Sequence, residues 1–241
     1  MRYALISDIH ANLEAVQAVL AALKNEAADV LLCLGDVVGY GANPEECVAL
    51  VKDSGALLVA GNHDQAAVGK IPLAEFNPFA AEAARWTAGQ LAEPSRTWLG
   101  GLPMVTSVGE VSIVHGTFDD PEAYNYLVSV RAVVKCLRGQ PTRVGFVGHS
   151  HVPLVFVPGE EGTLNLIREE EAVLDGGQAL VNVGSVGQPR DEDPRAAYTI
   201  YDEVSNTVWM RRVEYDIDRA ARKIIEAGLP RLLAERLWVG R

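Results

Sequence analysis

The sequence has few of the features that mark disulfide-stapled or membrane-spanning proteins. Only three of its 241 residues are cysteines, namely Cys33, Cys47 and Cys136, and they show no CxxC spacing. A small, odd number of cysteines excludes a disulfide framework and is typical of reduced intracellular thiols. No apolar run approaches the roughly 18 residues of a membrane helix. The apolar start of the chain reaches Asp8 too soon for a signal peptide. We therefore expect a cytoplasmic protein with no membrane association.

Positive charge is also scarce. The chain has 21 Lys and Arg against 32 Asp and Glu, which gives a formal net charge of −11. A surface of this sign excludes tight binding of long DNA or RNA, because many phosphates would need neutralising at once. Taken alone, the charge also argues against any anionic substrate. With 49% hydrophobic residues, the chain is too apolar to be disordered.

The sequence lacks linkers, internal repeats and low-complexity tracts, which predicts one domain over residues 1–241. In the first 150 residues, short aliphatic runs end abruptly in polar residues, as buried strands do. These runs cover 3–6, 30–34, 56–60, 111–114 and 144–147. Helical patterns separate them at 13–23 (capped by Asn12), from Pro44, at 79–91 and at 128–137. Strand–helix alternation predicts a sheet with crossover helices.

After Pro153 the pattern changes to short strands separated by turn glycines. The candidate strands are 154–157, 163–167, 179–183, 197–201 and 207–213, with Gly159, Gly162, Gly176 and Gly177 in the turns. This pattern predicts a β meander and hence a second sheet. A helical C-terminus begins near Asp216.

All five histidines lie at, or within two residues of, the end of an apolar run: His10, His63, His115, His149 and His151. Asp8, Asp36 and Asn62 occupy equivalent positions. Ligand sites of open α/β sheets gather beyond the carboxyl ends of strands, and these residue types bind borderline divalent metals. Any one of these residues alone is better explained as a structural residue. Together they predict a metal site.

The sequence does not match the other catalytic motifs that its segments partly resemble. The segment from Gly148 to Val152 resembles a nucleophile elbow, but its last position is valine instead of glycine. No HExxH occurs, and the Gly-rich segment from Gly184 to Arg190 lacks GxGxxG spacing, which favours a tight connection. A mononuclear hydrolase acting on carbon esters through His149 and His151 would leave Asp36 and His63 unexplained.

Five blocks of the sequence resemble the calcineurin-like metallophosphoesterase family, in the order that the family has them. The blocks are Asp8-x-His10, Gly35-Asp36, Gly61-Asn62-His63-Asp64, His115-Gly116 and Gly148-His149-x-His151. The resemblance implies an α+β fold, a four-layer αββα sandwich of two mixed sheets flanked by helices. Residues 152–214 would supply much of the second sheet, and the segment 182–185 would return toward the site.

The resemblance also implies roles for the individual residues. Asp8, His10, Asp36 and His151 would hold one divalent metal ion. Asp36 would bridge to a second ion, completed by Asn62, His115 and His149. His63 would not bind metal but would protonate the leaving group, with Asp64 orienting its ring and raising its pKa. A hydroxide bridging the two ions would attack phosphorus in line. Manganese, iron, zinc, nickel and magnesium all suit such a shell.

The implied substrate is a small phosphodiester. The second block has no arginine after Asp36, and the third ends in Asp64 where protein phosphatases of this superfamily have glutamate. Both departures disfavour phosphoproteins and symmetrical dinucleoside polyphosphates as substrates. A phosphomonoesterase, a nucleotide or dinucleotide-polyphosphate hydrolase, and a catalytically silent scaffold are the alternatives. Five further residues either line the pocket or are structural: Tyr40, Asn43, Tyr124, Tyr126 and Arg190.

Overall fold

The computed structural model describes residues 1–159 and 163–241, and in these residues two six-stranded mixed sheets are flanked by helices. The strands are β1 (Arg2–Ile6), β2 (Val30–Cys33), β3 (Leu57–Leu58), β4 (Val105–Val108), β5 (Val111–Val114), β6 (Val144–Val147), β7 (Leu154–Pro158), β8 (Leu164–Ile167), β9 (Glu171–Val173), β10 (Ala179–Asn182), β11 (Ala196–Asp202) and β12 (Thr207–Val213). The helices are α1 (Leu13–Leu23), α2 (Pro44–Asp53), α3 (Asn62–Ala67), α4 (Pro78–Gln90), α5 (Glu93–Gly100), α6 (Val130–Gly139), α7 (Ile217–Glu226) and α8 (Arg231–Val239). The predicted two-sheet α+β fold is confirmed.

Parallel strands at the centre of each sheet determine where the site lies. The first sheet has the order β3-β2-β1-β11-β12-β9, with β1, β2 and β3 parallel. The second has the order β4-β5-β6-β10-β7-β8, with β5, β6 and β10 parallel. Side chains that follow parallel neighbours emerge at one edge of a sheet. Each sheet therefore presents such an edge to the candidate site.

Alternating side chains of the strands build separate cores on the two faces of each sheet. In β1, Tyr3 and Leu5 pack with Phe146 of β6 between the two sheets. Ala4 and Ile6, on the opposite face, pack against α1 and α2. The outer face of the second sheet packs against α6, mainly through Val133, Cys136 and Leu137. These layers give the order helix, sheet, sheet, helix.

The strands after Pro153 do not form the predicted meander. β7 and β8 pair as a hairpin in the second sheet, but β9 and the hairpin β11–β12 belong to the first. β10 lies between β6 and β7. Residues 152–214 therefore supply three strands of the second sheet, which agrees with the expectation, and also three strands of the first. Strand spacing could not show this, because partner choice depends on contacts far apart in sequence.

Several local predictions differ in extent from the structure. The strand predicted at 56–60 is only Leu57–Leu58, because Ala60 N donates to Pro103 O, outside the sheet. The short helices α3 and α5 and the strands β4 and β9 were not predicted. The turn predicted at Gly162 lies outside the described residues. Asn12 does cap α1, since its Oδ1 accepts from Ala15 N at 3.1 Å.

All three cysteines are free and buried. Among the described residues, no helix is both long enough and apolar enough to cross a membrane.

Candidate metal centre

The structure brings every sequence-predicted metal ligand to one place, at the carboxyl edges of both sheets. Asp8 and His10 follow β1, Asp36 follows β2, and Asn62 begins α3 after β3. From the second sheet, His115 follows β5, and His149 and His151 follow β6. Because strands on both sheets end here, side chains distant in sequence converge without any long loop.

Left-handed backbone is unusually frequent among these residues. The φ angles of five of the seven lie between 50° and 65°: Asp8, His10, Asp36, His149 and His151. Each such residue costs about 1–2 kcal/mol relative to ordinary backbone. In extended backbone, residues two apart in sequence, such as His149 and His151, would point to one face. The left-handed turns instead send them into two different groups of ligands.

The first group, called here the enclosed group, consists of Asp8, His10 and His151. His10 Nε2 lies 3.1 Å from His151 Nε2, and Asp8 Oδ1 lies 3.2 Å from His151 Nε2. Asp36 Oδ2 lies 3.7 Å from His10 Nε2. Asp8, His10 and His151 are at most 2% exposed. This group is therefore sealed from solvent.

The second group, called here the cavity-side group, consists of Asn62, His115 and His149. His115 Nε2 lies 3.1 Å from Asn62 Oδ1 and 3.2 Å from His149 Nδ1. The same nitrogen lies 3.3 Å from Asp36 Oδ2. Asp36 Oδ2 thus borders both groups, whereas Asp8 Oδ1 of the enclosed group lies farther from His115 Nε2, at 3.9 Å.

The donor atoms themselves indicate that cations belong between them. His10 Nδ1 and His151 Nδ1 face the carbonyl oxygens of Val38 and Gln188, at 3.2 and 2.6 Å, so these nitrogens carry the protons. Their Nε2 lone pairs then face each other. His115 Nδ1 faces Leu34 O at 2.7 Å, which likewise turns an Nε2 lone pair inward. Lone pairs this close repel unless a cation lies between them.

The buried carboxylates support the same interpretation. Asp8 Oδ2 accepts from His149 N at 3.0 Å and Asp36 Oδ1 accepts from His63 N at 2.8 Å. The other oxygen of each carboxylate is buried and has no hydrogen-bond partner among the described residues. An unpaired buried carboxylate oxygen is costly. Although burial opposes it, the nearby Asp36 carboxylate raises the pKa of His115 to about 9. Its field therefore favours positive charge at this imidazole, either as a proton on Nε2 or as a cation that replaces that proton.

The expected contact between Asp64 and the His63 ring is not made. Asp64 Oδ1 accepts from Val38 N at 3.2 Å, and its Oδ2 accepts from Gly61 N at 3.1 Å. Neighbouring residues of a helix point about 100° apart, so Asp64 reaches back to the start of α3 and away from the ring. Burial raises the pKa of Asp64 to about 7 and lowers that of His63 to about 4. Asp64 therefore supports the loop and does not raise the pKa of His63.

Aromatic packing holds the His63 ring instead. Its centroid lies 4.3 Å from that of Tyr40 and 5.0 Å from that of Phe76. Gly39, at φ 94°, leaves room for the ring, since a Cβ there would lie 2.6 Å from His63 Nδ1. The sequence indicated neither Phe76 nor Gly39, because packing partners outside the motif carry no local signal.

His63 lies between the metal ligands and a cavity of about 290 Å³. It lies 4.9 Å, centroid to centroid, from His10, and its ring is close enough to His10 and Asp36 to join them as a ligand. Asn62 and His149 line the same cavity. Its remaining lining is mainly aromatic and acidic, with Tyr40, Phe76, Tyr124, Tyr126, Glu75 and Glu122.

The segment after β10 returns to the site, as expected from the sequence. Ser185 Oγ donates to Asp8 O at 2.8 Å, and Gly187 N donates to the same oxygen at 2.9 Å. Asn182 Nδ2 donates to Gly148 O at 2.6 Å. With Gln188 O on His151, this loop sets the orientation of ligands that come from two other strands. Its glycines serve a tight connection, as predicted.

Of the five pocket residues left open by the sequence, three line the cavity: Tyr40, Tyr124 and Tyr126. Asn43 is structural, because its side chain binds Glu46 at 2.8 Å and Lys223 at 2.9 Å. Arg190 lies over the Tyr40 ring, with 5.7 Å between its Cζ and the ring centroid.

Comparisons with known proteins agree with this geometry. The sequence profile of the calcineurin-like phosphoesterase superfamily domain matches residues 1–206. An uncharacterised protein of Methanocaldococcus jannaschii is 43% identical over 99% of this chain and 98% of its own.

Among solved structures, a metallophosphoesterase from Sphaerobacter thermophilus is 40% identical, covers 100% of this chain and 99% of its own, and superposes with a TM-score of 0.87. A hypothetical protein from Pyrococcus horikoshii OT3 shares the fold at 20% identity and a TM-score of 0.79, over 100% of this chain and 98% of its own. The two sheets, the converging ligands and the matched profile lead to one conclusion: this chain belongs to the calcineurin-like phosphoesterase superfamily.

Proposed function

We propose that this protein is a phosphodiesterase that holds two divalent metal ions and hydrolyses small phosphodiesters. The observation that supports it best is the pair of inward-facing ligand groups that share Asp36 Oδ2. Asp8, His10, Asp36 and His151 would hold one ion, and Asp36, Asn62, His115 and His149 the other. When bound, two such ions neutralise phosphoryl oxygens and lower the pKa of the attacking water.

The local charge of such a site differs in sign from that of the whole chain. Two divalent ions would be held by only two carboxylates, Asp8 and Asp36, and the remaining ligands are neutral. The site would be positive although the protein has a net charge of −11. The global charge therefore argues against long nucleic acids as partners but not against a small phosphate ester in the cavity.

His63 would serve as the general acid. It lines the cavity beside Asp36, and its ring is clamped by Tyr40 and Phe76. A histidine held at the edge of the ligand groups can donate a proton to the leaving oxygen of a phosphate that enters from the cavity. Its Nδ1 has no partner and faces Gly39, so Nε2 is the nitrogen free to act.

The cavity favours a diester over a monoester. A volume of about 290 Å³ accommodates an organic arm beyond the phosphoryl group. Glu75 and Glu122 in the cavity wall repel a dianionic monoester more than a monoanionic diester. The aromatic side chains of the same wall offer apolar contact to an ester arm.

A substrate panel on metal-reconstituted protein tests this function. The panel holds bis(p-nitrophenyl) phosphate, p-nitrophenyl phosphate, p-nitrophenyl acetate and dinucleoside polyphosphates, with metal content measured in parallel. We expect two ions per chain and the highest kcat/KM for the diester. A preference for the monoester or for dinucleoside polyphosphates would replace the proposed substrate class. Turnover of the acetate alone, with one ion per chain, would refute the phosphoesterase mechanism.

The His63→Ala variant tests the role of the proposed acid. We expect it to keep both ions and to lose about 10²- to 10⁴-fold in kcat, which is the usual size of a general-acid contribution. A diester with a better leaving group should lose less, because a good leaving group needs no proton. Loss of a metal ion in this variant would instead make His63 a ligand.

A further inference from the structure

Arg190 lies beside the candidate metal centre. Its Cζ is 5.7 Å from the centroid of the Tyr40 ring. That ring packs 4.6 Å from His10 and 4.3 Å from His63, centroid to centroid. The Tyr40 ring therefore lies close to the guanidinium, to an enclosed ligand and to the proposed acid.

The Arg190 side chain is held in place by the same loop that orients His151. Arg190 N donates to His151 O at 3.3 Å, and Arg190 Nη2 donates to Gln188 Oε1 at 2.8 Å. The backbone oxygen of Gln188 faces His151 Nδ1 at 2.6 Å. Any movement of the arginine relative to this ligand would break one of these bonds. The guanidinium is thus positioned before a substrate arrives.

The charge of Arg190 has no counterion in the described part of the chain. Within residues 1–159 and 163–241, no carboxylate oxygen lies within 4.0 Å of its guanidinium, and its buried Nε has no hydrogen-bond partner. By contrast, Arg212 pairs with Asp191, the residue next to Arg190. A half-buried guanidinium to which the described residues supply no carboxylate is unusual in a chain with 32 acidic residues.

A second arginine without an ion pair lies nearby. Arg236 of α8 donates through Nε to Arg241 O at 2.5 Å and pairs with none of the described carboxylates. Burial lowers the pKa of Arg236, and the positive charge of Arg190 lowers it further. An arginine without a carboxylate partner is available to bind an anion.

We propose that Arg190 binds a non-bridging oxygen of the substrate phosphoryl group and so determines affinity for phosphate esters. The proposal rests on the proposed function above. The block that follows Asp36 has no arginine through Gly41. Arg190 approaches the site from the loop after β10, which also contacts His151. It would provide from that loop the guanidinium that the Asp36 block lacks.

The experiment compares Arg190→Gln and Arg190→Lys with Arg131→Gln, an exposed arginine on α6 that serves as a matched control. Inorganic phosphate is the probe, measured both as a competitive inhibitor and by calorimetric titration of the metal-loaded protein. We expect Arg190→Gln to bind phosphate about tenfold or more weakly, the size of one lost charge-assisted hydrogen bond. KM for bis(p-nitrophenyl) phosphate should rise in parallel, with two ions retained. Arg190→Lys should recover part of the loss.

Three outcomes would overturn the proposal. Phosphate affinity unchanged in Arg190→Gln would show that the guanidinium does not bind the anion. Loss of a metal ion in Arg190→Gln would show that Arg190 only holds Tyr40 in place. The same would follow if Arg190→Gln melts at a lower temperature than Arg131→Gln and recovers full phosphate affinity when it is measured at lower temperature. If the wild type hydrolyses no ester at all, the proposed function fails, but the calorimetric comparison still decides whether Arg190 binds phosphate.

Discussion

The two ligand groups of the site differ in how they are held. In the enclosed group, His10 and His151 both lie on left-handed backbone and are sealed beneath the loop after β10. In the cavity-side group, Asn62 and His149 line the open cavity, and the Tyr126 ring stacks on His149 at 3.9 Å. Asp36 Oδ2 is the atom that both groups approach.

This difference indicates that the two groups would protect a bound ion from solvent to different extents. A group without access to the cavity would protect a bound ion from exchange with solvent. A group in the cavity wall would leave a bound ion less protected. We therefore expect the enclosed ion to exchange slowly and the cavity-side ion to exchange faster. Four substitutions test this comparison.

Asp36→Asn should have the largest effect, because it removes the shared charged oxygen. Asparagine tolerates the left-handed backbone at this position and can still accept from His63 N, so the fold should persist. We expect both ions to bind at least about a hundredfold more weakly and diester hydrolysis to fall below detection. Manganese titration by calorimetry provides the measurement. Two tightly bound ions in this variant would show that Asp36 is not shared.

A smaller and selective effect is expected from His149→Gly and His151→Gly. Glycine accepts the positive φ of both positions, so each variant removes an imidazole without adding strain. His149→Gly should lose the exchangeable ion and keep the slow one. His151→Gly should lose the slow ion and also melt at a lower temperature, because Gln188 O loses its partner. If both variants lose both ions, the two ligand groups do not bind their ions independently of each other.

The smallest effect is expected from Tyr126→Ala, which removes the ring stacked on His149. Such a pair contributes about 0.5–1.5 kcal/mol, so affinity for the second manganese ion should fall about two- to tenfold. Affinity for the first ion should not change. Tyr126→Phe keeps the ring and is the control. An equal loss at both ions would show that Tyr126 acts on the whole site.

Local sequence patterns were sufficient to predict most of the strands and helices of the first 150 residues. The aliphatic runs are buried on both faces, and Asn12 forms the expected cap. The patterns were insufficient after Pro153, where strands of similar composition pair in different sheets. Strand pairing of this kind depends on which hydrophobic faces meet across the molecule. The sequence of a single strand does not identify its partner.

The role of Asp64 shows the same limit at the site. Adjacency in sequence suggested that it orients His63, but successive helical residues point apart and its carboxylate binds Gly61 N and Val38 N. The residues that do hold the His63 ring are Tyr40 and Phe76. Neither lies in the same motif block as His63.

The sequence by itself determined which donor atoms are available and that they gather where parallel strands end. That much follows because carboxylate, amide and imidazole groups at strand ends must emerge at one edge. The tertiary structure decided how these donors divide into two groups, which imidazole nitrogen faces inward and that Asp36 Oδ2 borders both groups. It also decided that Arg190 lies beside them with no carboxylate partner among the described residues. These properties depend on left-handed turns and on backbone carbonyls supplied by distant strands, so no local pattern could encode them.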